Sequence, residues 1–203
     1  MGLRRGFKTE ANALAREVRA DLGLAASDPL DPWKLAEFLE IPVQSLSSLR
    51  DVAPGAVRHF QLRDMAAFSA VTVFRGSLRW IWHNDAHAPQ RQASNLSHEL
   101  AHALLLHPPG GAINETGARD WDTALEAEAS WLGPALLISE EAALDIARRE
   151  TSASDAAVAY GVSTRLVSFR LAAVGANRRV QRARAIRPMP TNRTPSHTVR
   201  EPD

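Results

Sequence analysis

The sequence contains no cysteine among its 203 residues. Disulfide bonds are therefore excluded, which agrees with a reducing compartment. No apolar run approaches the roughly 20 residues that a membrane-spanning helix needs, and residues 1–8 lack the apolar core of a signal peptide. Together these absences predict a cytoplasmic protein without membrane contact.

The size and composition are typical of one compact domain with a small appendage. Apolar residues make up 45% of the chain, an ordinary share for a globular core. The net charge is only +1, but arginines are concentrated near the end of the chain, among prolines and polar residues without helical or strand periodicity. We predict that residues 179–203 form a disordered Arg/Pro-rich tail.

The sequence HELAH at positions 98–102 is an instance of the pattern H-E-x-x-H. Apolar residues at helical spacing run through residues 94–107, and Pro108 forces the helix to stop. Because residues four apart share one face of a helix, His98 and His102 can reach a single ion, while Glu99 leans toward whatever else that ion holds. Two imidazoles, a carboxylate and an open position are the ligand set of catalytic zinc.

Five residues alone do not establish a metal site, because a surface helix with two solvated histidines fits the same pattern. A third ligand decides between the two interpretations. His107 follows His102 by five residues rather than the six of the metzincin pattern. Three acidic candidates lie in or near a glycine-rich loop, which would hold a ligand loosely: Glu115, Asp120 and Asp122.

Two further candidates, Glu126 and Glu128, open an Ala/Leu-rich helical run over residues 124–138. Only one of them can face inward, because residues two apart on a helix point about 200° away from each other. Glu128 shares its face with Trp131 and Leu132, which indicate packing. Glu126 is the better ligand, since its face carries small residues that let two helices approach closely: Ala129, Ser130 and Gly133.

Residues 56–83 are predicted to form strands. Alternation indicates strands over 56–62 and 78–83, and a β-rich composition indicates another over 68–74, with Gly76-Ser77 as a hairpin turn. A small mixed or antiparallel sheet packed on the metal helix makes the predicted fold α+β and zincin-like. Because an exposed edge strand can hold a peptide through main-chain hydrogen bonds, we hypothesise that a strand within 66–83 does so.

Several separated segments resemble the ImmA/IrrE family of metallopeptidases. Residues 126–139, EAEASWLGPALLIS, resemble the family signature E-x-x-A-N-x-F-A-x-x-L-L-x-P. Residues 81–107 resemble its I-x-x-N, R-Q and H-E-x-x-H-x-L-L-H elements in the same order, and the segments DPLDPWKLAEFLEIPV and YGVSTRLVSFRL also fit. The resemblance extends over about residues 10–175.

The resemblance implies a cytoplasmic zinc metallo-endopeptidase. It assigns His98, His102 and Glu126 as the ligands of Zn²⁺ and Glu99 as the general base. It also implies a narrow protein substrate, a helix-turn-helix repressor of the Xre type that is cut in response to stress or to induction of a mobile element.

The chain departs from the family signature at a few positions of the second ligand helix. Ser130 stands where the family usually has Asn or Asp, Leu132-Gly133 replaces Phe-Ala, and Ser139 replaces Pro. A polar side chain at position 130 can hydrogen-bond a ligating imidazole and fix its tautomer. Serine can do so with a shorter reach.

Residues 140–178 are predicted to form a C-terminal helical unit. Helices over 154–160 and 164–174 flank a glycine-containing turn, the shape of a helix-turn-helix. Arg165 and Arg170 would give such a unit a basic face, so one alternative is a DNA-binding regulator with a vestigial metal site. Another alternative is a partner that sequesters a repressor without cutting it. We favour packing on the peptidase through four residues, without direct binding to nucleic acid: Val162, Leu166, Phe169 and Leu171.

The predicted organisation has three parts. Residues 1–139 form the metallopeptidase domain, residues 140–178 the helix-turn-helix-like unit and residues 179–203 the tail. The single tyrosine, Tyr160, could donate to an oxyanion if it reached the metal. A position in the core is the simpler expectation.

Overall fold

The computed structural model describes residues 2–76, 78–108 and 122–186. Within these ranges, α-helices and a three-stranded sheet form a mixed α+β fold, in which α4 packs on the sheet. None of the described helices is both long enough and apolar enough to cross a membrane. The elements are α1 (Phe7–Asp21), α2 (Pro32–Phe38), β1 (Val43–Ser45), α3 (Pro54–Arg58), β2 (Ala70–Arg75), β3 (Leu78–His83), α4 (Pro89–Leu104), α5 (Thr123–Leu137), α6 (Glu140–Arg148), α7 (Ala153–Ala159), α8 (Thr164–Val174) and α9 (Ala176–Ile186).

β3 is the central strand of the sheet, which has the order β1-β3-β2. β1 runs parallel to β3, with Val43 opposite Ile81, and β2 runs antiparallel to β3, with Thr72 opposite Ile81. The predicted hairpin is therefore confirmed. It turns through Gly76, whose φ of 63° is a left-handed value that glycine adopts without strain. In the described part of the chain β2 pairs on one side only, so it is an edge strand.

The prediction of a strand over residues 56–62 is wrong. These residues lie in α3 and in the π-helical turn His59–Arg63 that follows it. Pro54 occupies the first turn of α3, where its fixed φ suits a helix and its missing N–H has no partner to lose. Gly55 and Ala56 have little preference for strands. Val57 is the buried residue of this segment. The alternation of apolar and polar residues therefore does not correspond to one buried face of a strand.

α4 and α5 cross with their backbones in close contact. A Cβ atom at Gly133 would lie 3.1 Å from the Cα and 3.2 Å from the backbone nitrogen of His98. Ser97 Oγ donates to the carbonyl of Gly133 at 2.8 Å, and the fully buried Leu100 and Leu132 belong to the core around this crossing. The predicted close approach of two helices is thus observed at Gly133, and it occurs at the first histidine of the motif.

Two buried arginines bind the C-terminal end of α5. The last carbonyl groups of a helix have no partner within it. Arg19 of α1 donates to the carbonyl of Leu136 at 2.7 Å, and Arg170 of α8 donates from Nε to the carbonyl of Ile138 at 2.9 Å. Both arginines are fully buried, and a cation suits the negative end of the helix dipole. Arg170 therefore does not contribute to the basic face that the DNA-binding alternative requires, whereas Arg165 is exposed.

Helices α6 to α9 enclose a second hydrophobic core. Val162 and Leu166 are buried in it as predicted, Leu171 is partly buried against it, and Phe169 is 45% exposed, contrary to the prediction. Helix-capping serines open three of these helices, and each accepts a backbone N–H from the first turn: Ser139, Ser152 and Ser163. The helix-turn-helix-like interpretation of this unit stays a prediction.

The start of the predicted tail is helical. α9 spans Ala176–Ile186, so the structure differs from the predicted boundary at residue 179. Arg184 pairs with Glu150 at 2.6 Å, which holds α9 against the end of α6. Residues 187–203 lie outside the described residues.

The substitution Gly133→Ala tests the helix crossing. The added methyl group meets only backbone atoms, so the two helices must separate, and we expect the free energy of unfolding to fall by roughly 1–3 kcal/mol. Gly55→Ala is the matched control, because a Cβ there meets nothing within 4 Å; this helical position should gain about 0.4–1 kcal/mol. Urea unfolding followed by circular dichroism measures both changes. Equal stability of the Gly133→Ala variant and the wild type would contradict the close crossing.

Candidate metal centre

His98 and His102 project from the same face of α4. Their Nε2 atoms lie 3.2 Å apart, and the ring centroids are 4.9 Å apart with an interplanar angle of 74°. The spacing of four residues in a continuous helix produces this arrangement. The two imidazoles therefore direct the same ring nitrogen toward a common point.

Glu126 lies beside both imidazoles. Its Oε2 is 3.3 Å from His98 Nε2 and its Oε1 is 3.3 Å from His102 Nε2. Asp122 caps α5 by accepting the backbone N–H of Ala124 at 2.8 Å, which places Glu126 in the first turn of the helix. The side chains of His98, His102 and Glu126, called the metal group below, are 28%, 19% and 30% exposed. Solvent can therefore reach each of them.

The spacing within the metal group fits a tetrahedral ion. Zinc binds imidazole nitrogen and carboxylate oxygen at about 2.0–2.2 Å, and tetrahedral ligands at such distances are separated by about 3.3–3.6 Å. The two Nε2 atoms are 3.2 Å apart and each lies 3.3 Å from one oxygen of Glu126, which agrees with this geometry. Within the described residues, these three side chains form a group that could hold a metal ion. The donor set, two imidazoles and a carboxylate, also suits zinc.

His102 is held in its neutral form. Burial lowers the pKa of its imidazole to about 4, and the positive charges of His98, His107 and Arg79 act in the same direction. A metal ion binds the lone pair of a neutral imidazole, so a protonated ring would have to lose its proton first. At neutral pH the ring is already in the form that can bind a metal.

Glu99 is anchored to the sheet. Thr72 of β2 donates from Oγ1 to Glu99 Oε2 at 2.5 Å. Burial lowers the pKa of Arg79 on β3, and the negative charge of Glu99 opposes that shift, so the carboxylate also has a cation nearby. The second residue of the H-E-x-x-H pattern is therefore fixed by β2 rather than by its own helix.

Glu128 lies on the packing face of α5, as its neighbours Trp131 and Leu132 indicated, and within that face it is ion-paired. It is 9% exposed. Arg4 Nε donates to Glu128 Oε1 at 2.8 Å, and His107 Nε2 lies 3.4 Å from Glu128 Oε2. No sequence pattern could reveal this pairing, because Arg4 precedes Glu128 by 124 residues.

Among the described residues, the other candidates do not join the metal group. Tyr160 donates its hydroxyl to the carbonyl of Ser27 at 2.8 Å, which is the core position expected for it. Ser130 is exposed, and among the described contacts neither imidazole has Ser130 as a hydrogen-bond partner. Glu115 and Asp120 lie outside the described residues.

A comparison with protein families matches the chain to the IrrE N-terminal-like domain over residues 54–172. The matched range begins at α3 and ends within α8, so it contains both helices of the metal group and the β2–β3 hairpin. No curated protein matches the chain. Since the match spans more than half of the sequence, the chain belongs to the IrrE N-terminal-like peptidase family.

Proposed function

We propose that the chain is a zinc-dependent metallo-endopeptidase. The observation that carries the proposal is the position of Glu126, whose two carboxylate oxygens each lie 3.3 Å from one of the two facing imidazoles. The peptidase family to which the chain belongs supports it. Zinc bound at such a site lowers the pKa of a water molecule and polarises the carbonyl group of the bond to be cut.

Glu99 moves the proton in this proposal. Its carboxylate accepts a proton from the attacking water and delivers it to the amide nitrogen as the carbon–nitrogen bond breaks. The hydroxyl of Thr72 holds one carboxylate oxygen by its hydrogen bond. The orientation of the base is therefore set before a substrate arrives.

β2 provides main-chain groups for a bound peptide. The amide of Asn84 donates to the carbonyl of Ser69 at 2.9 Å. Successive residues of a strand point their backbone N–H and C=O groups to opposite sides. Since Ser69 bonds to Asn84 directly after β3, the backbone groups of the odd-numbered residues of β2 point to β3 and those of the even-numbered residues point to the open edge. Thr72 accordingly directs its backbone groups to the edge and its side chain to Glu99. A peptide that adds to this edge passes beside the base.

We further propose that the substrate is a helix-turn-helix repressor of the Xre type, and that its cleavage in the cytoplasm relieves repression of stress or mobile-element genes. The family resemblance supports this substrate. The burial of Arg170 counts against direct DNA binding through α8, because one of the two arginines of the expected basic face donates to a backbone carbonyl instead.

Glu99→Gln tests the catalytic proposal. We expect kcat to fall by about 10²–10⁴-fold, since the general base is lost, while zinc affinity and repressor binding are retained. The assay combines the zinc-loaded full chain with a purified Xre-type repressor from the same genome, and cleavage is followed by mass spectrometry. Glu17→Gln, an exposed acid on α1, is the control. Cleavage or a cellular phenotype that survives Glu99→Gln would rule out proteolysis by this base.

Thr72→Val tests the anchoring of Glu99. Loss of a hydrogen bond to a charged group costs about 1.5–3 kcal/mol, which corresponds to a decrease in kcat of about 10–100-fold. Thr72→Ser keeps the hydroxyl and should stay near the wild-type kcat. Steady-state kinetics with the cleaved substrate separates the two variants. If both variants behave alike, the hydroxyl has no role in catalysis.

Ala70→Pro tests peptide binding at the edge of β2. Proline removes an N–H that faces the edge, and proline is tolerated at the first residue of an edge strand. We expect KM to rise with little change in kcat, because a ground-state contact is removed. Ala70→Ser keeps the N–H and serves as the control. An equal KM for the two variants would show that the peptide lies elsewhere.

A further inference from the structure

His107 lies against the second histidine of the metal group. Beyond the end of α4, Leu106 adopts a left-handed φ of 53°, a conformation that is uncommon for residues other than glycine. The amide of His107 then donates to the carbonyl of His102 at 3.0 Å. This turn returns the His107 ring to the helix, so that the two ring centroids are 5.0 Å apart and the two Nδ1 atoms are 2.9 Å apart.

Glu128 and Arg4 extend this contact away from the metal group. His107 Nε2 lies 3.4 Å from Glu128 Oε2, and Arg4 Nε donates to Glu128 Oε1 at 2.8 Å. His107 is 6% and Glu128 is 9% exposed. A buried carboxylate is costly unless it is paired and hydrogen-bonded, and Arg4 supplies Glu128 with both.

The order of donors and acceptors follows from the inner end of this series. If Nε2 of His102 presents its lone pair to a metal ion, the proton of this ring is on Nδ1. The contact of 2.9 Å between the two Nδ1 atoms then makes His102 Nδ1 the donor and His107 Nδ1 the acceptor. The other ring nitrogen of His107, Nε2, faces the Glu128 carboxylate at 3.4 Å.

The same order excludes His107 as a ligand of that ion. Its Nδ1 faces His102 at 2.9 Å and its Nε2 faces Glu128 at 3.4 Å. His107 contacts Nδ1 of His102, whereas Glu126 lies beside Nε2 of the same ring. His107 therefore acts on the metal group only through the His102 ring.

We propose that His107 and Glu128 are positioning residues, which hold the His102 ring in the tautomer and orientation that present Nε2 to the metal. Outer partners of this kind typically change metal affinity by 10–100-fold. The inference rests on the proposed zinc site and deepens it. It gives His107 the role that the sequence suggested for position 130.

Zinc affinity of the full chain, measured by competition with a chromophoric chelator, is the first test. His107→Phe retains a ring but no acceptor, and it should weaken zinc binding by about 10–100-fold. His107→Asn offers an amide oxygen to His102 Nδ1 and should restore most of the affinity. His87→Phe is the matched control, since His87 is also 6% exposed and its Nε2 lies 2.8 Å from the carbonyl of Met65; its zinc affinity should equal that of the wild type.

The tautomer of His102, measured by ¹⁵N NMR on the zinc-free chain at neutral pH, is the second test. The wild type should show a single form with the proton on Nδ1, and His107→Phe should lose it. Glu128→Met removes the acceptor at the far end without altering either ring, and it should also mix the tautomers. If circular dichroism shows that His107→Phe does not fold, the tautomer of His102 in Glu128→Met tests the proposal in its place.

Unchanged zinc affinity together with an unchanged His102 tautomer in the folded variants would overturn this inference and leave the zinc site in place. A wild-type chain that binds no zinc contradicts the proposed function instead. In that case the tautomer of the zinc-free protein still decides whether His107 positions His102.

Discussion

The site depends on the contact between the backbones of α4 and α5. A Cβ atom at Gly133 would lie 3.1 Å from the Cα of His98, so there is no room for a side chain between the helices at the first imidazole. Glu126 lies two turns before Gly133 on the same face of α5, which is why its carboxylate can stand 3.3 Å from both ring nitrogens. A wider separation of the helices would remove the third ligand while leaving the H-E-x-x-H helix itself intact.

Charged groups fix the position of α5 along α4. Asp122 caps its N-terminal end, and Arg19 and Arg170 bind the carbonyl groups at its C-terminal end. These arginines belong to α1 and α8, so helices from both ends of the described chain hold the helix that carries Glu126. The C-terminal unit therefore contributes to the metal centre through packing, and burial of Arg170 serves that packing rather than an exposed basic surface.

Much of the site could be predicted from local sequence, because helical and strand periodicity are local properties. The helix that carries the motif, the hairpin and the choice of Glu126 over Glu128 as the third ligand followed from local patterns, although the helix spans Pro89–Leu104 rather than residues 94–107. The pairing of Arg4 with Glu128 and the burial of Arg170 could not be predicted, since charged residues read as exposed until their partners are known. The one available signal for His107 was its spacing of five residues from His102, which excludes a metzincin but does not reveal a contact between ring nitrogens. The error at 56–62 arose because alternation over a short segment fits a helix beginning at a proline equally well.

X-ray absorption at the zinc edge of the zinc-loaded full chain tests the central claim most directly. The account predicts a shell of low-atomic-number ligands at about 2.0–2.2 Å, with two imidazoles and a carboxylate oxygen from the protein. It also predicts that Glu126→Ala changes this shell and weakens zinc binding, whereas Glu17→Ala changes neither. A shell with more or fewer than two imidazoles, or one that Glu126→Ala leaves unchanged, would contradict the claim that the two helices close around one ion.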